Sequence, residues 1–277
     1  MKTLLSLGHG YSADALARVL IPQGWAVIGT TRNPDKAARM RARGIEPLRW
    51  PGDLGPALAR ATHILASAAP DAGGDPFLAD WPGIATAKVA WVGYLSTTGV
   101  YGDHQGAWVD ETTPLTPDSP RGTQRVLAET QWQATGLPVH VFRLAGIYGP
   151  GRGPFEKVRD GSARRIIKPG QFFSRTHVED IAQVLAASIA RPNPGAAYNV
   201  CDDEPAPPED VLSHAATLLG LPEPPAIPFD QAEMTPMARS FYSESKRVRN
   251  DRIKDELGVR LLYPTYREGL AALQTAE

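Results

Sequence analysis

The sequence predicts an α/β fold, a doubly wound parallel sheet with a small C-terminal lobe, and three observations predict it. Short apolar runs alternate with helical segments over the first 150 residues. The runs are nearly continuous in apolar residues, as strands buried on both faces are. The first of them leads straight into the glycine turn LGHG, which opens a helix.

Taken in order, the strand candidates are TLLSLG (3–8), WAVIGTT (25–31), HILASA (63–68), KVAWVGYLS (88–96) and PVHVFRLAG (138–146). A further strand precedes PGDL (51–54). Helical patterns lie between them at 12–21, 35–43, 54–61 and 120–135. The 120–135 helix has its start signals in place, with Ser119 suited to the N-cap and Pro120 to the first helical position. A helix at 178–191 and a strand at 197–200 read as a return to the main sheet. The domains expected are therefore a dinucleotide-binding unit of residues 1–150, rejoined by 176–200, and a lobe of 151–175 and 201–277. Glycine and charge in GPGRGPFEKVRDG, and the prolines around PAPPEDVLSHAATLLGLPEPPAIPF, mark that lobe as lying outside the sheet.

Composition narrows the function. A net charge of −1 gives no basic field, so nucleic acid is not an expected partner. The single cysteine, Cys201, excludes an internal disulfide, and no Cys/His cluster has metal-ligand spacing, so no metal is expected. No apolar run approaches the roughly 20 residues that span a bilayer. The start MKTLLSLGHG does not read as a signal peptide. The expectation is a cytoplasmic protein without membrane contact.

Gly8, Gly10 and Ala13 form G-x-G-x-x-A between strand and helix. The first glycine makes the turn, the second admits a pyrophosphate, and the small third residue lets helix pack on strand. Tyr11 and Ser12 begin the helix whose free N–H groups face the phosphates. About 20 residues on, a site for NAD carries an acid for the ribose 2′-hydroxyl. Here GTTRNPDK offers Thr30, Thr31 and Arg32 instead. A planar cation and two hydroxyls suit a 2′-phosphate, which points to NADP(H) over NAD(H). The alternative is an ordinary surface arginine, and Lys36 reads as a lysine on a helix surface. Asp53 is a candidate acceptor for the adenine amino group. Ala66, Ala68 and Ala69 (of ASAAP) and Gly146 are small residues at strand ends where a cofactor lies flat, with tight packing as the other reading for Ala66.

At YLSTTGVYG (94–102) the chain resembles the short-chain dehydrogenase/reductase superfamily in its extended, epimerase/dehydratase-like form. RLAGIYGPGR (143–152), SRTHVEDIAQVL (174–185), AYNVCDDEP (197–205), KRVRNDRIKDELG (246–258) and YPTYREGL (263–270) carry the same resemblance, in family order, over essentially the whole chain. It implies a Rossmann fold and a Ser/Thr, Tyr and Lys catalytic set. Thr97 matches the Ser/Thr, with Ser96 and Thr98 as near alternatives. The Tyr-x-x-x-Lys helix aligns with RGTQR, so Arg121 and Arg125 stand where tyrosine and lysine belong. The chain thus resembles atypical members that keep the fold and lack the dyad.

A guanidinium stays protonated, so Arg121 is no substitute proton donor. It can instead grip a carboxylate or phosphate, and Arg125 can hold the nicotinamide ribose. The other reading makes both surface arginines paired with Asp118 or Glu129. Tyr101 and Tyr148 are the remaining catalytic candidates, each also readable as cleft packing. His177, useful by its pKa, also reads as a helix cap. His104, Asp110 and Glu111 read as loop residues. The expected protein is an NAD(P)-dependent oxidoreductase or epimerase-like enzyme acting on a small, anionic molecule, as a possible homodimer. The alternative is a non-catalytic NADP(H)-binding redox sensor or regulatory module.

Overall fold

The computed structural model describes residues 1–276. Its first five strands are β1 (Thr3–Leu7), β2 (Ala26–Thr31), β3 (Glu46–Arg49), β4 (His63–Ala66) and β5 (Trp91–Thr97). The helices between them are α1 (Tyr11–Leu20), α2 (Pro34–Ala42), α3 (Gly55–Arg60) and α4 (Pro76–Asp80). After a short β6 (Trp108–Val109) come α5 (Pro120–Ala134), β7 (Val139–Leu144), β8 (Gly146–Tyr148), α6 (Phe155–Arg159), β9 (Arg165–Ile167) and β10 (Arg175–His177). The chain continues through α7 (Val178–Ala190), β11 (Ala197–Val200), α8 (Pro208–Leu219), β12 (Ala226–Pro228), α9 (Pro236–Phe241), β13 (Arg247–Val248), α10 (Asp251–Asp255) and α11 (Tyr266–Ala276).

Seven strands make one parallel sheet in the order β11-β7-β5-β4-β1-β2-β3. This is the doubly wound α/β architecture read from the sequence, reversing direction of growth at β1 and β4. Successive residues point to opposite faces, which explains the unbroken apolar runs. Leu4, Val27, Leu65, Trp91 and Phe142 enter the core under α1 and α7. Their neighbours Leu5, Ile28, Ile64, Val92 and Val141 enter the other core, with Trp132 of α5.

The smaller strands pair outside this sheet, β8 with β10, β9 with β12, and β6 with β13, all in parallel. A third core joins Tyr148, Phe155, Val158, Ala215, Tyr266 and Leu270 between α6, α8 and α11. After α8 the chain leaves that lobe once before α11 ends in it. Ile253, Leu257 and Val259 return to the core beneath α7. No helix among the described residues is long and apolar enough to cross a membrane.

Candidate active site

The glycine loop is held before any ligand meets it. Gly8 has φ +77°, and a Cβ there would lie 2.8 Å from the backbone nitrogen of Ala68. Only glycine fits that turn. The Gly8 N–H donates to Thr30 Oγ1 at 2.7 Å, and Ser67 Oγ donates to the Gly8 carbonyl at 2.7 Å. Gly10 is the N-cap of α1 and brings no side-chain cap. The first N–H groups of the helix, from Tyr11, Ser12 and Ala13, are therefore left for an anion. Ala13 is fully buried and packs the helix onto the sheet. These features fit a dinucleotide pyrophosphate.

Around the loop, the threonines divide their work. Thr30 serves the turn, and Thr31 Oγ1 accepts from the Asn33 N–H at 3.2 Å. Arg32 is exposed at the end of β2, without an ion pair among the described residues. Lys36 is not simply a surface lysine. It is half-buried, and its ammonium donates to the His9 carbonyl inside the loop. Burial there lowers its pKa. The His9 ring lies beneath the loop, 1% exposed, and burial holds its pKa at about 4. Asp53 is exposed, and its Oδ1 accepts from the Gly55 N–H at 2.8 Å, capping the turn into α3. Ala66 closes β4, fully buried, while Ala68 presses on Gly8 and Ala69 is exposed.

A cavity of about 640 Å³ opens beyond the C-terminal end of β5. Thr97, Arg121, Arg125, Tyr148 and Gly146 all line it, with Thr98 beside them. Thr97 ends β5, and its Oγ1 accepts from the Gly99 N–H at 3.2 Å. Ser119 Oγ accepts from the Gly122 N–H at 3.2 Å, starting α5 so that Arg121 and Arg125 share its cavity face. Arg125 donates Nη1 to the carbonyl of Leu95 at 2.7 Å and to Ala68 at 3.5 Å. It thereby links the cavity to the segment after β4 that backs Gly8. Arg121 reaches across to α9, with Nη2 3.4 Å from Ser240 Oγ and its guanidinium 4.6 Å from the Phe241 ring centre. Neither arginine pairs with Asp118 or Glu129. Asp118 accepts from the Asp103 N–H, and Glu129 is ion-paired to Arg143.

Two catalytic candidates need correction. Tyr101 is fully buried and does not line the cavity. Its hydroxyl donates to Asn199 Oδ1 at 2.7 Å and accepts from Arg143 Nη1 at 3.0 Å. It belongs to a buried network with Arg143, Glu129 and Ser96, and burial pushes its pKa up to about 12. Tyr148 presents its ring to the cavity but buries its hydroxyl against Gly269, where an added Cβ would lie 2.0 Å away. Burial drives that phenol well above its ordinary value. His177 caps α7, its Nδ1 accepting from the Glu179 N–H at 3.3 Å. Asp110 closes its own turn, and Glu111 accepts from the Asn199 N–H of β11 at 2.7 Å, covering that sheet edge.

The far wall was not anticipated. It comes from Phe172–Arg175 and from the segment 238–248, including Phe241, Tyr242, Glu244 and Lys246. Lys246 Nζ meets Glu244 Oε2 at 2.7 Å and donates to the Gly102 carbonyl at 2.7 Å. Arg175 Nη1 donates to the carbonyl of Phe173 at 2.9 Å, and burial lowers its pKa. The aromatic pairs in QFFSR and SFYSESK were the available signal in the sequence.

Comparison with known proteins agrees with this architecture. No family model matches the chain. Protein YeeZ of Escherichia coli K12 is 32% identical over 286 residues, covering 95% of this chain and 97% of its own. A 3-diazoavenalumate denitrifying reductase from a Streptomyces species is 30% identical over 182 residues, 58% of each chain. The solved structure of a functionally unknown conserved protein from Silicibacter pomeroyi DSS superposes with TM-score 0.95 at 68% identity, covering 100% of this chain and 99% of that one. UDP-glucuronic acid 4-epimerase from Bacillus cereus, in complex with NAD, shares the fold with TM-score 0.78 at 17% identity, covering 99% and 96%.

Proposed function

The chain belongs to the epimerase/dehydratase-like family of short-chain dehydrogenases/reductases, and on that premise we propose an oxidoreductase or epimerase-like enzyme that binds NADP(H) and acts on a small anionic molecule. The observation that carries the proposal is the convergence of Thr97, Arg121 and Arg125 on one cavity, tied through Ala68 to the turn at Gly8. Gly8 and Gly10 leave room for the pyrophosphate, and the N–H groups of Tyr11, Ser12 and Ala13 would receive it. Arg32 would pair with the 2′-phosphate, and Lys36, one bond away from the loop, adds charge there. The small surfaces of Ala66, Ala68, Ala69 and Gly146, with Asp53 at the adenine end, complete the cofactor contacts.

NADP(H), when bound, gives or takes a hydride at its nicotinamide. Thr97 orients the reacting oxygen of the substrate with its hydroxyl. Arg121 neutralises the negative charge of the substrate, and Arg125 keeps its fork toward the cofactor ribose. α5 contains neither tyrosine nor lysine, so a proton comes from water or from the substrate itself. The chain is expected to work in the cytoplasm, with a homodimer as the assembly to test by size-exclusion chromatography.

A fluorescence titration with NADPH, with NADH as control, tests this reading. NADPH should bind tighter, and Arg32→Ala should weaken NADPH about tenfold while leaving NADH unchanged. Binding of neither cofactor overturns the proposal. One observation favours a second reading, a redox sensor without turnover. Of the two phenols lining the cavity, Tyr148 has its hydroxyl turned away, and Tyr242 is pushed by burial up to about 12, far from the neutral range where an acid works best. A sensor separates NADPH from NADP⁺ by affinity. An enzyme consumes NADPH only when a particular small molecule is present.

A further inference from the structure

The cavity carries positive charge and no unpaired carboxylate among the described residues. Arg121, Arg125 and Arg175 line it, but Arg125 is bonded to the carbonyls of Leu95 and Ala68 and Arg175 to those of Phe173 and Ala206, which leaves Arg121 the least committed guanidinium. Arg121 has no carboxylate within ion-pair distance among the described residues, whereas Arg175 has the buried Asp202 as its counter-charge. The one acid in the lining, Glu244, is already paired with Lys246. Among the described residues, no Asn, Gln, Asp or His lines the space. A sugar carries many hydroxyls, and each needs an acceptor for its hydrogen. This lining meets them with Ser, Thr and Tyr hydroxyls but with no unpaired carboxylate among the described residues. It favours a ligand that accepts hydrogen bonds and brings negative charge of its own.

The remaining wall is aromatic. Phe172, Phe173, Phe241 and Tyr242 come from two segments far apart in sequence. Tyr242 packs edge-on to Phe173, with ring centres 5.5 Å apart at 69°. Arg121 lies over Phe241, its guanidinium 4.6 Å from the ring centre, at the cavity edge. It has only a 3.4 Å contact to Ser240 to give up when an anion arrives. A guanidinium beside an aromatic wall recognises an acid and a flat body together. The same 640 Å³ must also admit the nicotinamide end of the cofactor, which leaves room for one ring rather than a nucleotide.

Resting on the reading of this cavity as the substrate site, we propose that the substrate is a one-ring aromatic acid, its carboxylate or phosphate on Arg121 and its ring against the Phe173–Tyr242 wall, with Phe241 at the edge.

Isothermal titration of the protein saturated with NADP⁺ tests this, using benzoate, phenyl phosphate, cyclohexanecarboxylate, benzyl alcohol and UDP-glucose as probes. Benzoate or phenyl phosphate should bind at least about fivefold tighter than cyclohexanecarboxylate, with benzyl alcohol and UDP-glucose weaker still. Which of the two acids binds tighter identifies the anionic group. Arg121→Gln, a change at an exposed residue, should weaken the better acid about tenfold. Phe241→Leu, at a side chain 51% exposed, should reduce the preference for an aromatic ring. Tighter binding of UDP-glucose, equal binding of the ring and cyclohexane acids, failure of both aromatic acids to bind, or an unchanged affinity in Arg121→Gln each overturns the proposal. If the chain binds no NADP(H) at all, the cofactor reading fails separately. The same probes titrated against the chain alone then decide the substrate class.

Discussion

Removing Glu129 should destabilise the protein strongly and loosen the strand end that carries Thr97 into the candidate site. Its carboxylate is 3% exposed and pairs with Arg143, 7% exposed, at 2.9 Å. A second contact joins Arg143 Nε to Glu129 Oε1 at 3.3 Å, and Ser96, one residue before Thr97, donates its hydroxyl to the same oxygen. Glu129→Ala leaves a guanidinium buried without its counter-charge. Breaking such a pair from one side costs about 3–5 kcal/mol. For a chain of this size that corresponds to a fall in Tm of roughly 6–20 °C. Chemical denaturation followed by circular dichroism measures the free-energy loss, and thermal denaturation the fall in Tm. The double replacement Glu129→Leu with Arg143→Met should recover part of the loss, because no charge is then stranded. A loss in Glu129→Ala below about 1 kcal/mol would refute the reasoning, since the pair would then behave as one on the surface.

Three further outcomes are expected. Gly8→Ala should keep the fold but lose at least about tenfold in NADPH affinity, read by fluorescence titration, because the left-handed turn costs on the order of 1–2 kcal/mol and the methyl meets Ala68 backbone. Tyr101→Phe should leave NADPH binding unchanged while lowering unfolding stability by about 1–3 kcal/mol, since Asn199 and Arg143 lose their shared hydroxyl; a lost affinity with unchanged stability would return Tyr101 to the catalytic set. His9 has a folded pKa of about 4, below its ordinary 6.5, so the unfolded chain takes up the proton first. Its contribution to stability is present above pH 6.5 and is lost as pH falls toward 4, by about 3 kcal/mol. As pH falls over that window, the wild type should lose stability relative to His9→Leu, read from denaturation midpoints, and parallel pH profiles would count against it.

The central strands were legible because each is buried on both faces, which writes the strand as an apolar run. β3 carries EPLR, half-buried or exposed at the sheet edge, and only its place before PGDL suggested it. The paired strands of two or three residues are too short for any period to show. Thr97, Arg121 and Arg125 were legible from local spacing, since one strand end and one helix face place them. The opposite wall was not, because Phe172–Arg175 and 238–248 meet it only through tertiary packing. Tyr101 was misread for a related reason, as a sequence does not say which way a hydroxyl turns. Its partners did leave a trace. Arg143 and Asn199 are lone polar residues inside the apolar runs VHVFRLAG and YNV, and buried polar groups need partners.

Thr30 and Ser67 fasten the glycine loop from the strands on either side of β1. Such a loop has already surrendered its freedom when the chain finishes folding, so a dinucleotide arriving there meets a finished mould. Little ordering entropy remains to oppose association. Removing the Ser67 hydroxyl should therefore show itself in the entropy of cofactor binding more than in its enthalpy, a thermodynamic imprint of two small hydroxyls bonded to the loop itself.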